Sequence, residues 1–148
     1  MTTVRRPSSG TAVVALGTAA AFTGVAVLHV AWGRGSTFPY DTRAELNDAV
    51  IGRDATPSPP SCYAVAVALT GAALLVGRAG TRGGWVARIG AGAVATVLCV
   101  RAAFGLAGRT DVLVSGSESE RFRRLDRRVF GPFCLALAAG AACAALAR

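Results

Sequence analysis

Five side chains with acid–base or cation-binding chemistry stand out against an apolar chain. Arg101 interrupts "IGAGAVATVLCVRAAFGLAG" (89–108), a run that otherwise reads as a membrane span. His29 is the only histidine, and Trp32 follows it by three residues, on the same helical face. Asp126 sits among five arginines in "RFRRLDRRVFGPFC" (121–134), with Phe122 and Phe130 at i−4 and i+4. Glu45 lies in "GRGSTFPYDTRAELNDAVIG", behind an aromatic pair, Phe38 and Tyr40. A carboxyl, an imidazole, a cation and aromatic walls would suit a proton-initiated reaction. Aromatic faces stabilise cations, and a positioned acid starts the chemistry. On this reading Asp126 or Glu45 is the general acid and His29 relays a proton. Trp32, Tyr40, Phe122, Phe130 and Arg101 contact the substrate.

The elements that must position these groups are membrane helices. Apolar residues make up 53% of the 148-residue chain and charged residues 16%, more apolar than a soluble domain. We expect an all-α, integral-membrane four-helix bundle of antiparallel up-down topology, one unit over 1–148. Its helices fall at about 11–33, 59–77, 86–108 and 129–147, joined by long loops at 34–58 and 109–128. "TPSPPS" before helix 2 suits a helix start, since Pro is tolerated in the first turn and Ser can cap. "DTRAEL" predicts a short helix inside the first long loop, an interfacial segment lidding the bundle. The span after "MTTVRRPSSG" is longer than a signal-peptide core and is read as uncleaved.

All 16 basic residues are Arg, and the net charge is +8. They cluster at the ends of the apolar runs, so they mark membrane boundaries, and we expect no nucleic-acid partner. All eight acids lie in the two long loops. An antiparallel bundle puts both loops on one side and the termini with the short link "RAGTRGGWVAR" on the other. The termini side carries Arg5, Arg6, Arg78, Arg82, Arg88 and Arg148, and the loop side nine arginines. A bare count of positive charge favours the loop side as cytoplasmic. We nevertheless place both termini in the cytoplasm, because Arg5, Arg6 and the short link flank the early helices tightly.

Topology alone then gathers Arg101, His29, Trp32 and Asp126 near one membrane face. Arg101 lies roughly 10 Å from its end of the helix at 1.5 Å per residue. It can snorkel to the interface or pair with an acid inside the bundle. The bland alternatives for the others are a headgroup histidine, an interface indole and a solvated charge run. No CxxC, Cys/His cluster, nucleotide loop or nucleophile triad is present, so no metal or cofactor is expected. Cys62 and Cys134 fall on the same side, but we expect no disulfide between them.

"LHVAWGRG", "IGRDATPSPPS", "VLCVRAAFG" and "RFRRLDRRVFGPFCLALA", in that order, resemble a family of small bacterial four-helix membrane proteins with a domain of unknown function. The family pattern falls here on His29, Trp32, Pro57, Ser58, Arg101, Asp126 and Pro132. Where the family continues with Gly-Asp after the helix-3 arginine, this chain reads "RAAFGLAGRTD". The resemblance implies the fold and no activity. A looser, architectural similarity to small membrane-bound terpene cyclases and sterol isomerases implies a lipophilic, isoprenoid-like substrate undergoing cyclisation or isomerisation. The alternative is a non-enzymatic accessory or structural protein, with Arg101 paired to Asp126. It would be a small accessory subunit, or a homo-oligomer joined through the small-residue face Ala136, Gly140 and Ala144. A transporter fits less well, since no internal repeat is evident.

Overall fold

A computed structural model describes residues 8–53, 55–113, 115–116 and 119–147. Arg5, Arg6, Asp54, Glu118 and Arg148, used above in the charge and orientation arguments, lie outside the described residues.

The described chain is helical throughout, with no strand among the described residues. Four long helices carry it: α1 (Ser9–Gly33), α3 (Pro59–Thr81), α4 (Trp85–Ala107), and a final helix. That last helix runs as α5 (Glu120–Leu125), a wide π turn (Asp126–Phe130) and α6 (Gly131–Leu146). A short helix, α2 (Arg43–Val50), lies in the first long connection, and a single tight turn (Thr110–Val112) in the second. Each long helix is apolar and long enough to cross a membrane. The 23 residues of α3 or α4 cover about 35 Å at 1.5 Å per residue, against about 30 Å of hydrocarbon. Large apolar side chains such as Val13, Val27, Val67, Leu74 and Val97 point outward and are exposed. A water-soluble protein would bury that belt, whereas lipid tails solvate it. The chain is a multi-pass membrane protein.

The helices are packed in the cyclic order α1, α3, α4, α6, each antiparallel to its neighbours. One end joins the start of α1, the end of α3, the start of α4 and the end of α6. There Gly80 meets Ala15 and Ala144, and Arg88 Nε donates to Ala145 O at 3.0 Å. The core is built mainly of small residues: Ala15, Ala73, Ala79, Ala91, Ala141 and Ala144, with Phe22 and Val76 filling the wider gaps. Small side chains let the backbones approach, which supplies van der Waals contact where no hydrophobic drive exists between helices in lipid.

Gly140 and Ala144 belong to that interior. A Cβ on Gly140 would strike Thr18 of α1, and Ala144 is fully buried, while Ala136 is exposed. Two of the three residues expected to join copies of the chain are therefore used inside one chain, against α1 and α3. The charged segment before Val129, expected as loop, is helical. Ser119 accepts from Phe122 N and starts α5, so the last helix begins at Glu120, ahead of the expected Val129. Helix α3 likewise runs on to Thr81, past the expected end at 77, because Arg78 can extend from a helix end into the interface.

Candidate functional site: a polar-ended cavity at the loop face of the bundle

At the other end of the bundle, Asp126 is completely buried. Pro132 has no N–H to give, and its ring excludes the carbonyl four residues back. The helix widens there instead: Gly131 N–H reaches back to Asp126 O, a five-residue step. The widened turn leaves Arg127, Arg128 and Val129 exposed and turns Asp126 inward. Arg101 of α4 meets it with both terminal nitrogens, Nη2 to Oδ1 at 2.7 Å and Nη1 to Oδ2 at 3.2 Å. Such two-pronged pairs are the strong, orienting form of the contact.

A third donor comes from just beyond α4. Gly108 takes φ +67, which ends the helix, and Arg109 N–H returns to Phe104 O at 2.8 Å. The chain then brings Thr110 back over the bundle end, where its hydroxyl donates to Asp126 Oδ2. The pair also needs Gly105. A Cβ there would lie 2.7 Å from Arg101 Nη1 and 2.9 Å from Asp126 Oδ1.

Arg101 keeps 28% of its side chain exposed, while that of Asp126 has none. The free side of Arg101 faces a cavity of about 430 Å³, within the range of small-molecule pockets. His29 and Trp32 from α1, Arg101 and Thr110 form one part of its wall. Pro57 just ahead of α3 and Ser61, Cys62 and Val65 in its first turns form another, with Phe122 from α5. Helix α2 closes it with Arg43, Leu46, Asn47 and Val50. That helix is held by a capping box: Glu45 N–H donates to Thr42 Oγ1 and Thr42 N–H to Glu45 Oε2, both at 3.2 Å. Gly52, at φ +75, follows α2 and lets the chain pass against the Phe122 ring, which a Cβ would meet at 2.8 Å.

Four expected site residues thus share the cavity: His29, Trp32, Arg101 and Phe122. His29 Nδ1 donates to Val25 O at 2.9 Å, which leaves Nε2 as the acceptor nitrogen. The His29 and Trp32 rings lie 4.9 Å apart, and Trp32 Nε1 donates to Phe38 O at 2.7 Å. Asp126 stands behind Arg101 and orients it without lining the cavity. Phe130 packs beside Phe122, with centroids 6.4 Å apart. Tyr40 lies under the Arg121 guanidinium at 5.3 Å, and Arg121 also approaches Asp48 at 3.8 Å, so these groups tie the first loop to α5 outside the cavity. Glu45 is exposed and occupied in its cap. Cys62, Cys99, Cys134 and Cys143 are all free thiols.

Asn47, Arg43 and Thr110 also belong to the site. The one signal available for Asn47 is its place in "ELNDAV", where Leu46, Asn47 and Val50 fall on the inner face of α2. Outside the cavity, Arg124, Arg127 and Arg128 line a basic groove with Glu120 and Arg123.

The family model described as "Protein of unknown function (DUF3995)" matches residues 22–141, from the middle of α1 to the middle of α6. The chain belongs to the DUF3995 family. No curated protein and no solved structure matches it. The family match spans every cavity residue named above and carries no activity with it.

Proposed function

We propose that this DUF3995 protein binds a lipophilic small molecule in the cavity beneath α2. The carrying observation is the cavity itself: about 430 Å³ at one end of the bundle, apolar along Leu46, Val50, Val65 and Phe122, with Arg101 held rigid by Asp126 at its polar end. An apolar chamber with a few fixed polar groups is what amphiphile recognition requires. The supporting test is mass spectrometry of molecules that co-purify in mild detergent. A discrete isoprenoid-like or polycyclic species, lost in Trp32→Ala with the fold retained, is expected. Bulk phospholipid in equal measure from both proteins would refute the reading.

A second reading, isomerisation of that molecule, is favoured by one observation: His29 lines the cavity with Nδ1 committed to Val25 O. Its Nε2 is then the group to take a proton from one carbon of the molecule and return it to another, a proton shift that needs no further acid. A carboxylate taking three donors offers no O–H, so Asp126 acts in this reading as a positioning residue for Arg101. Turnover abolished in His29→Phe with binding retained would support it. Retained turnover would refute it. We further propose that both termini are cytoplasmic, supported by the compact, acid-free link carrying Arg78 and Arg82. Labelling of a cysteine placed at Gly83 from the cytoplasmic side only is the expected result, and labelling from outside contradicts it.

A further inference from the structure

We infer that the head group recognised in this cavity is a hydroxyl, so that the ligand is a lipophilic alcohol; this rests on the cavity being a ligand site. The observation is Asn47. It lines the cavity, is 3% exposed, and its Nδ2 donates to Thr56 Oγ1 at 2.9 Å. With Nδ2 engaged there, Oδ1 is the remaining end of the amide. Asn47 Oδ1 is buried with no hydrogen-bond partner, unique in this among buried side-chain polar atoms of the described residues. Buried polar atoms are almost always paired, and an orphaned acceptor is costly. A ligand that completes this site must bring a donor to Oδ1.

The two charged groups at hand are donors. Arg43 lies one turn before Asn47 on α2, and Arg101 faces the cavity from α4. Guanidinium groups donate only and call for an acceptor. A hydroxyl is both: its O–H serves Asn47 Oδ1 and its lone pairs take an arginine N–H. An aldehyde, a ketone or a carboxylate accepts only, so it leaves Oδ1 orphaned. An ammonium donates only and meets two guanidinium cations. A hydrocarbon satisfies neither. Sites built to hydrogen-bond a hydroxyl discriminate strongly against analogues that lack it.

The test uses the full-length protein in nanodiscs, in a Trp85→Phe background. Trp85 is exposed, outside the cavity lining, and its removal leaves Trp32 as the sole indole of the chain. Trp32 fluorescence is titrated with farnesol, farnesal and farnesoic acid, which share one skeleton and differ in head group. Farnesol is expected to bind at least about tenfold more tightly than either, a difference of about 1.4 kcal/mol. Asn47→Leu should abolish the preference, and Asn47→Asp, which keeps the acceptor, should retain it. Equal affinities for farnesol and farnesal, or tightest binding of farnesoic acid, would overturn the hydroxyl inference and leave the binding reading standing. No Trp32 response to any of the three would overturn both. The comparison of probes on the Asn47 protein needs no cavity variant to fold.

Discussion

Replacing Arg101 with Met keeps the stem and removes the charge, which leaves the Asp126 carboxylate completely buried with Thr110 as its remaining side-chain donor. Breaking a buried pair from one side costs about 3–5 kcal/mol, because the stranded charge is more costly than the pair was favourable. Arg101 is 28% exposed, so part of its own desolvation is never incurred, but Asp126 has no exposure with which to relax. The low end, about 3 kcal/mol, is therefore the working figure. For a chain of this size it corresponds to a fall of roughly 10 °C in Tm. The double change Arg101→Met with Asp126→Asn removes the stranded charge, and the neutral amide still accepts from Thr110. It should recover at least half of the loss. The assay is thermal unfolding of the purified protein in one detergent, run as a double-mutant cycle. Purely additive effects, with the double variant as unstable as the two single losses combined, would refute the claim that Arg101 and Asp126 act as one unit.

Other consequences are local. Gly105→Ala forces a methyl between Arg101 and Asp126 and should cost about 1–3 kcal/mol by overpacking, whereas Gly17→Ala, with open space around it, should be neutral or mildly stabilising; thermal unfolding distinguishes them. Gly80→Val drives a side chain into Ala15 and should separate α1 from α3, which cross-linking between cysteines placed on those helices would register as a loss of yield. Thr42→Ala removes the cap of α2 at about 1 kcal/mol, so amides of Arg43–Val50 should exchange roughly fivefold faster while the four long helices keep their protection.

The architecture was legible because lipid permits few solutions. Long uncharged runs separated by arginines and acids can only be spanning helices, and a three-residue break at Arg82–Gly84 forces α3 and α4 antiparallel. The same topology brought Arg101, His29, Trp32 and Asp126 to one end, and the pairing of Arg101 with Asp126 followed from burial and opposite charge. What charge pattern hid was the helical state of "RFRRLDRR". Its arginines look like a solvated loop, but Ser119 caps it and Pro132 converts the junction into a π turn without ending the helix. Tyr40 and Glu45 were misplaced relative to the cavity for a related reason. A short helix in a loop has no lipid-imposed face, so which polar residues of α2 turn inward depends on tertiary docking, and Tyr40 lies ahead of α2 against Arg121 of α5. Asn47 and Thr110 escaped notice because each is an ordinary residue in a polar loop until the fold buries it.

The central claim is that the cavity beneath α2 is where a lipophilic molecule sits, and photo-crosslinking tests it most directly. A diazirine-bearing isoprenoid alcohol, activated in nanodiscs and mapped by peptide mass spectrometry, should leave adducts on the cavity wall: Trp32 in α1, Asn47 to Ile51, and Ser61 to Val65 in α3. Those adducts should be competed by excess farnesol. Adducts spread over the outward-facing residues Val13, Val27, Val67 and Leu74, without enrichment in the cavity and without competition, would show that lipid contact is all there is and would contradict the account.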